Sequence, residues 1–275
     1  MKKTILTLLL TLAALTAYGQ KMPSDYFEEA DGYFAQKKYD EALTGYQYIV
    51  DNHPRSKYYP KALLNTGCIR FFQEDYEFAT VIFKKVLQCK SRESAVDGTD
   101  DPYANYKHKA STILSAIYYK RREYKESLHY LQLADSAYPC RNISDKELAE
   151  NKIESAIVYA DIYQGLEQPD KAIGKLMGSA WLDGTADNSA IIDRLHGLLA
   201  KKKGARKQLD AALNNIYEKR TAQGKNTTYC INYMGFEIEI PMEYVYGPLA
   251  GKPYDKKKTI GLLKKSNFYN MMKTL

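Results

Sequence analysis

The stretch from Tyr33 to Val50, YFAQKKYDEALTGYQYIV, carries apolar residues at helical spacing on both sides of a polar break. Upstream, Tyr26, Ala30 and Tyr33 fall at i, i+4 and i+7; downstream, Ala42, Tyr46 and Ile49 resume in a different phase. The break, AQKKYDE, therefore separates two helices that fold back on each other. Ser24 is the expected N-cap of the first, and the second must end before Pro54, which cannot continue it.

The same arrangement recurs. In YYPKALLNTGCIRFFQEDYEFATVIFKKVL, Gly67 stands for Ala30, Ala79 for Ala42, Phe83 for Tyr46 and Val86 for Ile49, and every offset (67 − 30, 79 − 42, 83 − 46, 86 − 49) is 37. A third copy places Leu114, Ser115, Tyr118, Ser127, Leu131 and Ala134 in equivalent positions, with Pro139 after them. A polar, Gly- and Asp-containing insertion separates copies two and three, as expected of a loop on one face of an array. The fourth copy has Tyr159, Ala160, Tyr163, Ala172 and Leu176. It opens on Ser144-Asp145-Lys146-Glu147, a capping box, and Pro169 suits the first position of its second helix. A fifth, looser copy aligns Leu209 with Ala172, again 209 − 172 = 37.

These motifs resemble the tetratricopeptide repeat, whose small and aromatic residues recur across a helix pair and end on a proline. The phrase HPRSKYYPKALLNTG is similar to exported tetratricopeptide proteins of outer-membrane assembly and cell division. The resemblance covers Ser24 to Tyr217. It implies an all-α fold, a right-handed α-α superhelix of four to five helix pairs, with pairs at about 24–54, 58–90, 107–139, 145–180 and 188–219. It also implies a concave groove lined by the first helix of each pair. Carried over by position, that groove holds Phe27, Asp31 and Phe34 from copy one, and Leu64, Phe71 and Phe72 from copy two. Tyr119 and Lys120 come from copy three and Ile157 from copy four. The expected occupant is a protein or peptide partner; the alternative is a glycan or small ligand stacked on the tyrosines and phenylalanines.

After Thr221 the period changes to two. Phe236, Ile238 and Ile240 alternate with Glu237 and Glu239, and Tyr229, Ile231 and Tyr233 make the matching strand of a hairpin that turns near Gly235. Such a hairpin is marginal alone and must lean on something. One further helix over 259–275 places Ile260, Leu263, Phe268 or Tyr269, and Met272 on one face, as a cap of the array or a partner-binding tail. The segment 221–275 is read as a separate C-terminal piece.

The first nineteen residues combine Lys2 and Lys3 with an apolar run from Ile5 to Leu15 and small residues at Ala17 and Gly19. This is the pattern of a cleaved export signal, too short to span a membrane comfortably. A periplasmic or secreted protein with peripheral envelope association and no transmembrane span is expected. The formal charge is +7, or 7 − 2 = +5 without Lys2 and Lys3, with lysines clustered at 201–203, 256–258 and 264–265. No nucleic-acid motif accompanies them, so a nucleic-acid partner is not expected.

The four cysteines form no C-x-x-C pair. An oxidising compartment permits disulfides, and a Cys89–Cys140 bridge joining the ends of copies two and three is one expectation. The four histidines make no H-E-x-x-H, and no P-loop, nucleophile elbow or dinucleotide fingerprint is present. Neither catalysis nor a cofactor or metal is expected.

Overall fold

The computed structural model describes residues 21–90, 104–139, 144–220, 227–246 and 254–275. Five helix pairs follow one another: α1 (Pro23–Ala35) with α2 (Tyr39–Asn52), α3 (Tyr59–Phe72) with α4 (Tyr76–Gln88), α5 (Ala104–Lys120) with α6 (Tyr124–Ala137), α7 (Asp145–Gly165) with α8 (Pro169–Met177), and α9 (Ser189–Leu199) with α10 (Ala205–Asn214). Three antiparallel strands come next, β1 (Tyr217–Arg220), β2 (Thr227–Tyr233) and β3 (Phe236–Ile240), in that order across the sheet. Three short helices close the chain: α11 (Met242–Tyr246), α12 (Lys256–Leu263) and α13 (Asn267–Met272).

One device makes the first four pairs. Lys37, Glu74, Arg122 and Glu167 have φ of 59°, 61°, 61° and 59°. Each is the middle residue of a three-residue link. The amide after it bonds the carbonyl five residues back: Lys38 to Tyr33, Asp75 to Arg70 and Glu123 to Tyr118, all at 2.9 Å, and Gln168 to Tyr163 at 2.8 Å. This is the Schellman closure of a helix, in which a left-handed residue usually is glycine. The small residue of the second helix always follows five positions later: 42 − 37, 79 − 74, 127 − 122 and 172 − 167 all give 5. In the fifth pair Gly204 takes the left-handed place at φ 71°, and 209 − 204 is again 5, but α9 stops early at Leu199. A left-handed non-glycine residue costs about 1–3 kcal/mol, part of which glycine gives back as unfolded-state entropy. Glu74→Gly should therefore raise the unfolding free energy by about 0.5–1 kcal/mol. A drop in the denaturant midpoint would show that the Glu74 side chain holds the turn.

The chain forms two compact units, one running to Ile117 and taking in Gln132–Cys140, the other made of Tyr118–Leu131 and Arg141–Leu275. In the first, α1 packs on α2, α2 on α3 and α3 on α4. Ala30, Ala42, Tyr46, Ile49, Ala62 and Ile69 form the core between pairs one and two. Within pair two, a methyl group at Gly67 would stand 2.7 Å from the Phe83 ring, so only glycine lets α3 and α4 close over that ring. A polar node crosses from pair to pair: Tyr46 donates its hydroxyl proton to Asp31 at 2.5 Å, Asn65 donates to Asp31 at 3.2 Å and to the Tyr46 oxygen at 3.0 Å, and Lys61 pairs with Asp31 at 3.2 Å. Burial and the Asp31 carboxylate push the Tyr46 phenol well above its ordinary pKa.

In the second unit, α7 packs on α8, and α9 on both. The hairpin has the expected register, with Tyr229 opposite Ile240, Ile231 opposite Ile238 and Tyr233 opposite Phe236. It leans on helices, as it must: β2 packs on α10, and the Phe236 ring lies directly over Gly174 of α8. The described part of segment 221–275 is thus built into the same core as pairs four and five, where Ile231, Tyr233, Leu263, Phe268 and Met272 join Leu176, Leu195 and Leu209.

Four local expectations need correction. The first helix starts at Pro23 after an N-cap at Met22, whose amide is held by Asp25 at 2.9 Å; Ser24 lies inside it. The fifth pair ends at Asn214, and Tyr217–Arg220 form a third strand paired with 227–230. All four β1 residues are exposed, so no alternation marks them. The closing helix is two helices, because the Ser266 hydroxyl accepts from the Tyr269 amide at 3.2 Å and starts α13 afresh. The Ser144 capping box is present, with Glu147 accepting from the Ser144 amide at 2.8 Å, and these bonds hold the Glu147 carboxyl below its ordinary pKa. The export signal, residues 91–103 of the insertion and Cys140 of the expected bridge lie outside the described residues.

Candidate functional site

The groove residues do not share one environment. Phe27 and Leu64 are 6% and 4% exposed and belong to the core: Phe27 stacks on Tyr58 at 5.1 Å and leans on Tyr46 at 5.7 Å. A first-helix position is covered when the next pair seats against it, and the repeat register alone does not say which positions those are. Asp31 is spent on the polar node between pairs.

Phe34, Phe71 and Phe72 come together instead. Phe34 lies 6.4 Å from Phe72, and Phe71 lies 6.1 Å from Phe72, ring centre to ring centre. Two tyrosines that the repeat comparison did not select complete the strip. Tyr39 is 5.9 Å from Phe34 and 5.7 Å from Phe72; Tyr76 is 5.7 Å from Phe71. All five rings flank the helix turns of pairs one and two. Phe72 is 53% exposed, a large apolar ring held in place by aromatic neighbours and open to water on its other side. Beside it, Gln73 of pair two donates to Asp40 of pair one at 3.2 Å, which fixes the two turns against each other.

The aromatic pairing across the turn is a repeated feature. Phe34/Tyr39, Phe71/Tyr76 and Tyr119/Tyr124 are each five residues apart, with ring centres 5.9, 5.7 and 5.6 Å apart. The sequence carries the signal as FAQKKY, FFQEDY and YKRREY. The left-handed residue between the two rings turns the chain back so that they meet. In the fourth copy Gln164 and Pro169 take these places, and the pair is absent.

The remaining expected residues lie in the second unit. Tyr119 is 38% exposed and Lys120 is exposed, while Ile157 is half-buried against the core. Near Tyr119, Arg194 spans both oxygens of Asp161 at 3.3 Å each. Burial, then the Asp161 charge, raise the Tyr119 phenol above its ordinary pKa. A separate concavity of about 570 Å³ lies between α1 and α2, with Tyr26, Tyr33 and Tyr48 in its lining. Among the described residues, no three His, Cys, Asp or Glu side chains converge in a metal-binding group, and no helix is long and apolar enough to cross a membrane.

The decisive observation is the turn-and-pair register, repeated from Lys37 to Glu167 with the small residue five places on. The fold is tetratricopeptide-like. No family model and no curated protein matches the chain. Among solved structures, it is similar to MamA from Desulfovibrio magneticus RS-1 (residues 41 to the end), at 18% identity over 68% of this chain and 89% of that one, with a TM-score of 0.49. A double mutant of MamA RS-1 is similar at 19% identity, over 66% and 85%, also with a TM-score of 0.49. The TPR2AB domain of yeast Sti1, solved with pHSP90, is similar at 16% identity, over 70% and 75%, with a TM-score of 0.35. These are likenesses of helical arrangement alone and say nothing about a partner for this tetratricopeptide-like chain.

Proposed function

We propose that the protein is a non-enzymatic, exported scaffold that takes a protein or peptide partner on the aromatic strip of its first unit. The observation that carries this reading is Phe72, 53% exposed at the centre of five clustered rings. Rigid exposed aromatics are the residue type most often found to dominate an interface, because they bury much area while losing little side-chain freedom. The first nineteen residues support export to the periplasm or beyond, and a role in assembly of the cell envelope is the setting this reading fits.

The test separates binding from folding. Phe72→Ala should weaken capture of the partner from an envelope extract by about 30-fold or more, the equivalent of about 2 kcal/mol for an interface anchor. Its melting temperature should stay within a degree or two of wild type, since about half of the Phe72 surface is already in water. If Phe72→Ala unfolds the first unit, the strip is packing and the proposal fails. Binding on a glycan array that Phe72→Ala abolishes, with no protein captured, would make the strip a sugar platform instead. Cell fractionation that leaves the chain in the cytoplasm would remove the exported setting.

A further inference from the structure

The charge of this chain is unevenly placed. Residues 201–210 carry five cationic side chains and one carboxylate, and residues 255–275 carry six and one, so the two segments together hold (5 − 1) + (6 − 1) = +9. The whole chain is +7, which leaves 7 − 9 = −2 on the other 244 residues. The fold brings these two segments together within the second unit. Arg206 donates to the Lys273 carbonyl at 3.5 Å, and Tyr269 donates its hydroxyl to Asp210 at 2.8 Å. The ammonium groups of Lys264 and Lys273 both lie near the Tyr269 ring, 5.7 and 5.4 Å from its centre.

Both carboxylates are already spent. Asp210 holds Tyr269 and, at 3.9 Å, Lys264; Asp255 caps α12 through the Lys258 amide at 3.1 Å. Lys201, Lys203, Arg206, Lys207, Lys265 and Lys273 are all exposed. Lys256 to Lys258 add three more cations in the first turn of α12, with Lys256 about 12 Å along the helix axis from Lys264. Apolar side chains lie among these cations: Leu275 is 40% exposed, and Met271 and Leu262 are partly exposed.

We infer that this corner of the second unit is a docking surface for an anionic lipid bilayer. Three features favour lipid over an acidic protein. The cations are nearly all lysines, which supply charge without the bidentate geometry that selects particular carboxylates. They are spread along two segments of the chain, over three helices and the links beside them. The same segments carry the exposed Leu275 and the partly exposed Leu262 and Met271, apolar side chains that can enter the headgroup boundary, the combination that holds peripheral proteins on anionic membranes. Lipid contact here leaves the aromatic strip of the first unit a separate function, tested separately.

The experiment is co-sedimentation of the chain from Gln20 onward with vesicles. Binding is expected to vesicles of one part phosphatidylglycerol to two parts phosphatidylcholine, and to be lost on pure phosphatidylcholine. It should weaken steeply between 50 mM and 500 mM salt, because screening shortens the reach of the charges. A variant with Lys201, Lys203, Lys207 and Lys265 all changed to Gln should bind at least about 100-fold more weakly, since each such lysine is worth roughly a factor of five at the surface. Among the described residues none of the four makes an ion pair, the neighbouring pairs being those of Lys202 and Lys264, so the variant's helical circular dichroism and melting temperature should match wild type. Absence of wild-type binding to the phosphatidylglycerol vesicles at 50 mM salt would overturn the proposal. So would undiminished binding by the variant, or binding to soluble heparin without binding to vesicles.

Discussion

Replacing Phe83 with alanine should destabilise the first unit by about 3–5 kcal/mol, the cost typical of truncating a buried aromatic ring. The ring is fully buried in the crossing of α3 and α4, close against Gly67. Gly67 has no side chain to fill the space, and the helix backbone cannot collapse into it without breaking the α3–α4 contact. The complementary change, Gly67→Ala, puts a methyl group 2.7 Å from the same ring and should cost about 1–3 kcal/mol by overpacking. The two are coupled. In Gly67→Ala with Phe83→Ala, the added methyl occupies part of the cavity left by the ring, so the double variant should lose less than the sum of the two single losses. Urea unfolding followed by circular dichroism measures all three. Strict additivity would mean that ring and glycine do not meet, and with them the pairing of α3 and α4 would fall. Ala42 and Ala79, both fully buried at equivalent places of pairs one and two, follow the same logic: leucine at either should cost about 1–3 kcal/mol.

Phe268→Ala should cost the second unit a similar amount, about 3–5 kcal/mol. The sequence leaves two roles for the closing residues, a cap or an arm for a partner. The fold packs them into a core. Phe268 is fully buried, with its ring edge-on to Trp181 at 5.7 Å and near Tyr233 at 6.5 Å, and Met272 beside it is fully buried. The Asn267 amide donates to Asp183 at 2.9 Å, tying α13 to the loop between α8 and α9. Trp181 is the single tryptophan of the chain, so its fluorescence reports on this unit. Phe268→Ala should lower the denaturant midpoint seen by that fluorescence, and removal of residues 264–275 should lower it further. A truncated chain with an unchanged midpoint would make the tail an arm that only rests on the core.

Much of this arrangement is written in local pattern. The helix pairs were legible because each repeats small and aromatic residues in the same relative places, 37 apart between pairs one and two, and a pattern of that kind needs only neighbouring residues to express itself. The hairpin was legible because Phe236 to Ile240 alternate in and out. The capping box at Ser144 and the proline at Pro169 are likewise settled within one turn of helix. The left-handed links at Lys37, Glu74, Arg122 and Glu167 were not legible, since a charged residue in that conformation carries no mark in the sequence. Nor was β1, whose four residues are exposed and pair only with a strand that begins seven residues after it ends.

The candidate site divides along the same line. That Phe34, Phe71 and Phe72 are aromatic and lie at the end of a first helix follows from the sequence. Phe27 and Leu64 sit on the same helices in the same register, and the sequence does not distinguish them from these three. The tertiary structure decides it: pair two seats against pair one through Tyr58, Lys61 and Asn65, closing over Phe27 and Asp31, while the turn ends of both pairs stay open and leave Phe72 in water. Tyr39 and Tyr76 enter the strip only because the left-handed residues before them fold each ring back onto the helix it follows. Sequence determined which residues form helices and at what period, because hydrogen bonding and periodicity act over a few residues. Which apolar side chains became core and which became surface depended on what packs against them, and that is set by distant parts of the chain.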